Sequence, residues 1–345
     1  MADQEQKRVL LLRFGAIGNA LVAVPAIRAM RRAWPEAFMA LVGDPVTLEL
    51  LGPCPYINEL IRYDHKGPEG FGRGYTRFIA GLRRRRFTHT VHFRRHLRSE
   101  LIGFFSGARV RVGFHTEARL QFLTHKVEYE EGGNVIEQSL KLARALGVMA
   151  DDRALEYWPD RGSARVGELV AGLPGAGPLV VIHAAGATQR ERLWGGFAEL
   201  AMVLRERTGA RVVMIGAEAE RAMITETAAA TRPAASTAIG LKLPEAAELI
   251  RRADLFAGTD SGPAHLADAV GTPGAIIYAP HRGLKKQIRK WKPEGENYLA
   301  FTPPRDCDGC ADHACAPEKQ KECADAIAVE EVAAGLEKLY ALKLK

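Results

Sequence analysis

Short, wholly apolar runs followed by a small-residue loop and then by apolar residues at helical spacing recur along this chain, and that grammar admits few folds. Arg8-Val9-Leu10-Leu11-Leu12-Arg13 leads into Phe14-Gly15-Ala16-Ile17-Gly18-Asn19 and then into an apolar stretch ending at Arg31-Arg32. The order reads as strand, loop and helix. Asn19 is the expected helix cap, and Pro25 is expected to kink or restart the helix. Further strands are expected at 37–42, 57–63 and 88–93. A second alternating series opens at Leu179-Val180-Val181-Ile182-His183, behind the turn-rich Leu173-Pro174-Gly175-Ala176-Gly177-Pro178. Phe197, Leu200, Ala201 and Leu204 then fall at i, i+3, i+4 and i+7, a helix that delivers the chain to a strand at 211–215. The series continues through a helix at 244–252, a strand at 255–257, a helix at 263–270 and a strand at 275–278. Strands alternating with helices imply mostly parallel, doubly wound sheets. The expected class is α/β with two Rossmann-like domains, at 1–165 and 166–325, and a last helix within 326–345 that packs back on the body.

Composition narrows the function. The 345 residues are 47% hydrophobic and 26% charged, with 34 Gly and 18 Pro, which excludes disorder and collagen and suits about two domains. No apolar run reaches the roughly 18 residues of a membrane span, and the opening MADQEQKR is too polar for a signal peptide. A soluble, cytoplasmic protein is expected. The net charge of +7 is local: residues 62–126 hold 15 basic and 4 acidic side chains, including Arg83 to Arg86 and the cluster Arg94, Arg95, Arg98. A solvated helix face accounts for the first run alone. The second cluster points to an anionic partner, whether phosphate, phosphorylated glycan, membrane surface or nucleic acid. Aromatic residues make up only 7%, thin material for stacking bases, and no nucleic-acid module is recognisable, so nucleic acid is not an expected partner.

Four segments can carry chemistry. In Gly15-x-x-Gly18-Asn19 small residues let a ligand approach the backbone before a helix start; the G-x-G-x-x-G spacing is absent, and an ordinary tight turn is the competing reading. Between Gly186 and Trp194, the Thr188 hydroxyl and the Arg192 guanidinium suit a diphosphate, against a surface loop anchored by Trp194. Gly258-Thr259-Asp260-Ser261-Gly262-Pro263-Ala264-His265 crowds a carboxylate, a hydroxyl and an imidazole at a strand end and helix start, where open α/β sheets bind ligands. It is the most specific of the four. Cys307, Cys310, Cys315 and Cys323 lie within 17 residues and begin with C-x-x-C, a spacing that suits zinc or iron; reduced or redox-active thiols and two disulfides are the alternatives. Cys54, between Pro53 and Pro55, is expected to be buried and structural.

Taken together, these segments resemble glycosyltransferase family nine, the ADP-heptose:lipopolysaccharide heptosyltransferases, over nearly the whole chain. The match rests on Val9 to Gly18 with Pro25 to Arg32 behind it, on Thr188 to Trp194, and on Asp260 to Ala267 followed by Gly271-Thr272-Pro273. The resemblance implies a GT-B architecture, two Rossmann-like domains facing a cleft, with the acceptor on the N-terminal domain and the nucleotide-sugar on the C-terminal one. It implies that Thr188 and Arg192 contact the donor diphosphate and Glu220 the nucleoside, and that Asp260, Ser261, Gly262 and His265 contact diphosphate and sugar. An anionic acceptor would be held by Gly15 and by Arg94, Arg95 and Arg98, and the product would be made at the cytoplasmic face of the inner membrane. No catalytic cofactor or Mg²⁺ is expected, and zinc or iron at the Cys cluster would be structural. The Cys-rich loop also resembles an element of iron-binding autotransporter heptosyltransferases, which implies protein hydroxyls as an alternative acceptor.

One position departs from the family pattern. The family's loop ends Gly-Asp, and that Asp resembles a general base for the acceptor hydroxyl, whereas here the residue is Asn19. An amide takes no proton near neutral pH, so a contribution of roughly a hundred- to ten-thousand-fold is at stake. Either another group acts as base, or the acceptor needs little activation, or the chain has lost transfer and kept binding. The expected activity is inverting transfer of a heptose or similar sugar from a nucleotide diphosphate, with Asn19 and Arg192 as the catalytic pair.

Overall fold

The computed structural model describes residues 6–115, 122–186, 193–278, 284–293, 297–304 and 317–344. The chain divides between Glu156 and Tyr157 into two compact units.

The first unit runs β1 (Arg8–Leu12), α1 (Ile17–Leu21), α2 (Val24–Ala33), β2 (Phe38–Gly43), α3 (Pro45–Leu51), β3 (Glu59–Arg62), α4 (Gly72–Arg84), β4 (His89–His92), α5 (Leu97–Phe105), β5 (Val110–Phe114), β6 (His125–Val127) and α6 (Val135–Arg144). The strands are parallel, in the order β3-β2-β1-β4-β5-β6, with Leu10 of β1 opposite both Ala40 and Thr90. Central β1 is apolar because both its faces are covered: Val9 to Leu12 are wholly buried, each leucine contributing about 1.5–3 kcal/mol of transfer free energy. Right-handed crossovers send the chain one way from β1 to β3 and the other way from β3 to β5, which places α4 and α5 together on one face of the sheet. Ile79 and Leu82 of α4 and Ile102 of α5 accordingly share a core with Leu10, Leu12, Ala40 and Val42.

The second unit runs α7 (Ala164–Ala171), β7 (Leu179–His183), α8 (Phe197–Thr208), β8 (Arg211–Gly216), α9 (Arg221–Ala229), β9 (Ser236–Ile239), α10 (Leu243–Arg252), β10 (Leu255–Thr259), α11 (Gly262–Val270), β11 (Gly274–Ile277), α12 (Leu284–Trp291), β12 (Tyr298–Phe301), α13 (Pro317–Asp325) and α14 (Val329–Lys343). Its strands are also parallel, in the order β12-β11-β10-β7-β8-β9. Read from the other edge, this is the 3-2-1-4-5-6 order of the first unit. The final helix packs on α8, where Val332, Leu336 and Leu339 join Leu200 and Leu204 in the core. Trp194 is buried edge-on against Phe197, its indole N–H donating to the Ile327 carbonyl at 3.0 Å.

Pro25 restarts the helix as expected, standing in the first turn of α2 after a break behind α1. Asn19 is not a cap. The Ala20 amide already bonds to the Ala16 carbonyl at 3.2 Å, so α1 begins earlier, Ala16 occupies the cap position, and Asn19 is the third helical residue. Cys54 is buried, and burial pushes its thiol up to about 12.

Candidate active site

In a 3-2-1-4-5-6 sheet the strand order reverses between the first and fourth strands, and ligands bind outside the carboxyl ends of the strands there. That point lies between β1 and β4 in the first unit and between β7 and β10 in the second. Asn19, Arg94 and Arg98 follow β1 and β4; His183, Asp260 and Ser261 end or follow β7 and β10.

In the first unit the loop after β1 is held from below. Gly15 has φ +124, in the region glycine tolerates, and a Cβ there would come within 3.1 Å of Asn19 Nδ2. Asp44, at the end of β2, accepts from the Gly15 amide at 2.6 Å through one carboxylate oxygen and from the Thr47 amide at 2.9 Å through the other, so it caps α3 and ties the loop with one side chain. Arg13, buried beneath the loop, donates to the Asn19 carbonyl at 2.6 Å and to the Phe93 carbonyl at 3.0 Å. Burial, then the like charge of Arg94, holds the Arg13 guanidinium down at about 9, so it remains charged at neutral pH. The sequence reading passed over Arg13 and Asp44; the available signal was a charged residue at the carboxyl end of each apolar strand.

Beside the loop is a cavity of about 150 Å³ lined by Phe14, Tyr63, His65, Arg94, His96 and Arg98. Arg94 is exposed and makes no ion pair among the described residues, and Arg98 donates to the His65 carbonyl at 3.1 Å. Burial and then the positive charges of Arg94, Arg98 and His65 push the His96 pKa down. The pocket is built to meet negative charge. Arg95, expected alongside, turns instead to Glu131 at 2.5 Å and to the face of Tyr129 at 4.0 Å.

In the second unit His183 joins two segments far apart in sequence. Its Nε2 lies 3.4 Å from Glu220 Oε2 and its Nδ1 lies 3.1 Å from Ser261 Oγ. The Ser261 hydroxyl also lies 3.1 Å from the Thr259 carbonyl, so its one proton serves either that carbonyl or the imidazole. Glu220 also accepts from the Ala217 amide at 2.8 Å; the His183 bond, opposed by burial and aided by that amide, holds its carboxyl below the ordinary 4.5. The Thr259 hydroxyl donates to the Ala185 carbonyl at 2.5 Å, which fastens the loop after β7 to the end of β10. Ser261 precedes α11, where Pro263 has no amide proton and the Ala264 amide donates to the Ser261 carbonyl at 3.1 Å, so that Gly262 presents the first-turn amide without an acceptor among the described residues; Gln287 donates to Asp260 at 3.1 Å. His265 is buried with its ring 5.4 Å from Trp291, and burial, against the pull of Asp260, pushes its pKa down. The structure therefore gathers Glu220 and Ser261 around His183, which was read from sequence only as a strand end, and sets His265 inside the core. Thr188, Arg192, Cys307, Cys310 and Cys315 lie outside the described residues. Cys323, on α13, is a free thiol, and no group of three or more metal-ligating side chains occurs among the described residues.

The family model for glycosyltransferase family 9 (heptosyltransferase) matches residues 75–321. The chain belongs to glycosyltransferase family 9. Over 298 residues it is 26% identical to lipopolysaccharide heptosyltransferase 3 of Escherichia coli, covering 82% of this chain and 85% of the relative. Among solved structures it is similar to the family 9 glycosyl transferase from Veillonella parvula, with TM-score 0.82, 18% identity and coverage of 97% of this chain and 98% of that one. It is also similar to the ADP-heptose LPS heptosyltransferase II of Escherichia coli, with TM-score 0.79, 17% identity and coverage of 98% and 100%. This family 9 chain is a glycosyltransferase with the GT-B fold, each unit a Rossmann-like sheet.

Proposed function

We propose that this glycosyltransferase moves a heptose from ADP-heptose to a hydroxyl of an anionic glycan such as the inner core of lipopolysaccharide, with inversion at the anomeric carbon. The observation that carries the reading, in a chain of this family, is the cationic pocket of the first unit. Carboxylates and phosphates on an acceptor suit Arg94, His96 and Arg98. The second unit takes the donor: Glu220 accepts hydrogen bonds from the nucleoside hydroxyls, while Ser261, the Gly262 amide and Asp260 face the diphosphate and sugar. The acceptor oxygen displaces ADP in line, the new bond to oxygen forming as the bond to the β-phosphate oxygen breaks. Arg192 and Thr188 neutralise the charge that develops on the leaving diphosphate. Asn19 orients the acceptor hydroxyl, and its proton leaves to water or to a group other than the amide. The acceptor places the work at the cytoplasmic face of the inner membrane, with peripheral membrane association. Cys307, Cys310, Cys315 and Cys323 bind a structural zinc or iron, since thiolates accept both; metal content below about 0.2 equivalents in protein purified without added metal would remove that assignment.

ADP release from ADP-heptose in the presence of a deacylated inner-core acceptor tests the reading, comparing wild type with Asn19→Asp. Release by wild type is the expected result. The second reading, nucleotide-sugar binding without turnover, is favoured by Asn19 and predicts release by Asn19→Asp alone. No release by either protein would mean that donor or acceptor is wrong.

A further inference from the structure

Helix α5 buries Ile102 in the core, yet its inner face also carries polar residues and its outer face large apolar ones. Its inner face carries Ser99 and Glu100, 2% and 4% exposed, with Ser99 Oγ placed 3.1 Å from Nδ1 of the buried His92. Gly103 completes that face, since a Cβ there would lie 2.5 Å from the His92 ring. The outer face carries Leu97, Phe104 and Phe105, which are 46%, 44% and 40% exposed and fall on one arc of the helix at i, i+7 and i+8. The neighbouring α4, on the same side of the sheet, turns outward Arg73, Arg77 and Arg84, at i, i+4 and i+11 on one stripe. None of these three arginines makes an ion pair among the described residues. Phe71, just ahead of α4, is 74% exposed and lies 5.4 Å beneath the guanidinium of Arg98, which also lines the anion pocket.

We propose that the outer faces of α4 and α5, with Phe71, form a docking surface for an anionic lipid bilayer. Aromatic and leucine side chains enter the headgroup boundary while the arginines meet lipid phosphates. Charge selects this occupant over a second copy of the chain, because a symmetric pairing of this face would bring Arg73, Arg77 and Arg84 together with the same arginines of the other copy. Through Arg98 the surface is continuous with the acceptor pocket, so a glycan whose lipid tail stays in the membrane arrives at the pocket from the bilayer side. This last step rests on the acceptor reading above; the docking itself does not.

Full-length protein sedimented with phosphatidylcholine vesicles, with and without phosphatidylglycerol, tests the proposal. Wild type is expected to bind the anionic vesicles, more weakly as salt rises, and to bind phosphatidylcholine alone far less. The triple variant Arg73→Gln, Arg77→Gln, Arg84→Gln should bind anionic vesicles about a hundredfold more weakly, at roughly fivefold per arginine. Phe71→Ser with Phe105→Ser should weaken binding about tenfold and leave its salt dependence unchanged. Unchanged melting temperature and ADP affinity would show that the variants fold. Equal binding to neutral vesicles, binding by the triple variant within about twofold of wild type, or a dimer dissociated by the phenylalanine variant without vesicle binding would each overturn the proposal. Turnover of a deacylated acceptor should be the same in wild type and the triple arginine variant. Absence of turnover in wild type would fail the transfer reading and leave the vesicle result standing.

Discussion

In the pocket at the carboxyl edge of the first sheet the cations are exposed or half-buried and little engaged among the described residues, with Arg94 unpaired and Arg98 bonded to a carbonyl and an aromatic face. At the same point of the second sheet the polar groups are half-buried or buried and bonded to one another, with His183 holding Glu220 on one side and Ser261 on the other. One strand order thus supports two kinds of recognition. Exposed charge attracts at long range, tolerates variation in the ligand and is screened by salt. A bonded network presents groups already in place, so its affinity depends on geometry more than on ionic strength.

The largest expected effect sharpens the donor side. Arg192→Ala should lower kcat about a hundredfold or more, because the guanidinium meets charge that develops only as ADP leaves; a loss within about threefold would end its leaving-group role. His183→Ala should follow, raising donor KM about tenfold with acceptor KM unchanged, since it leaves the Ser261 hydroxyl and the Glu220 carboxylate without their shared partner. Isothermal titration with ADP measures this effect without turnover. Arg94→Ala should raise acceptor KM about fivefold at low salt and much less at high salt, as suits an exposed charge; the same change at both salts would mean that Arg94 acts by packing.

A smaller effect concerns pH. The folded-state pKa of Glu220 lies below its ordinary 4.5. A depressed carboxylate contributes stability in full above the unfolded value and loses it as pH falls through the folded one. Chemical denaturation of wild type and Glu220→Gln should therefore show a constant difference near neutrality that shrinks only below the ordinary carboxylate range. A difference that shrinks while pH is still above 4.5 would mean that the carboxylate is not held by His183.

Much of the fold was legible in the chain because buried parallel strands are continuous apolar runs. Leu10-Leu11-Leu12 and Val180-Val181-Ile182 are unmistakable, and Pro25 marks a helix start. The edge strand β3 falls within the expected 57–63, but the edges β6, β9 and β12 and the inner β5 escaped: β6 is three residues, His125-Lys126-Val127, with no apolar run to read. Glycines and clustered polar residues marked the loops at both switch points. The partners beneath them were not marked, because Arg13, Asp44 and His183 act through contacts with residues 6, 29 and 78 positions away, and local pattern carries no record of such pairings. Asparagine favours the cap position, but Asn19 does not hold it, because the Ala16 carbonyl has already started the helix.

Donor KM and acceptor KM measured in one series of increasing ionic strength, with ADP-heptose and an anionic inner-core glycan, test the contrast between the two units most directly. Acceptor KM should climb steeply with salt while donor KM stays nearly flat. Donor KM rising as steeply as acceptor KM, or an acceptor KM indifferent to salt, would contradict the account.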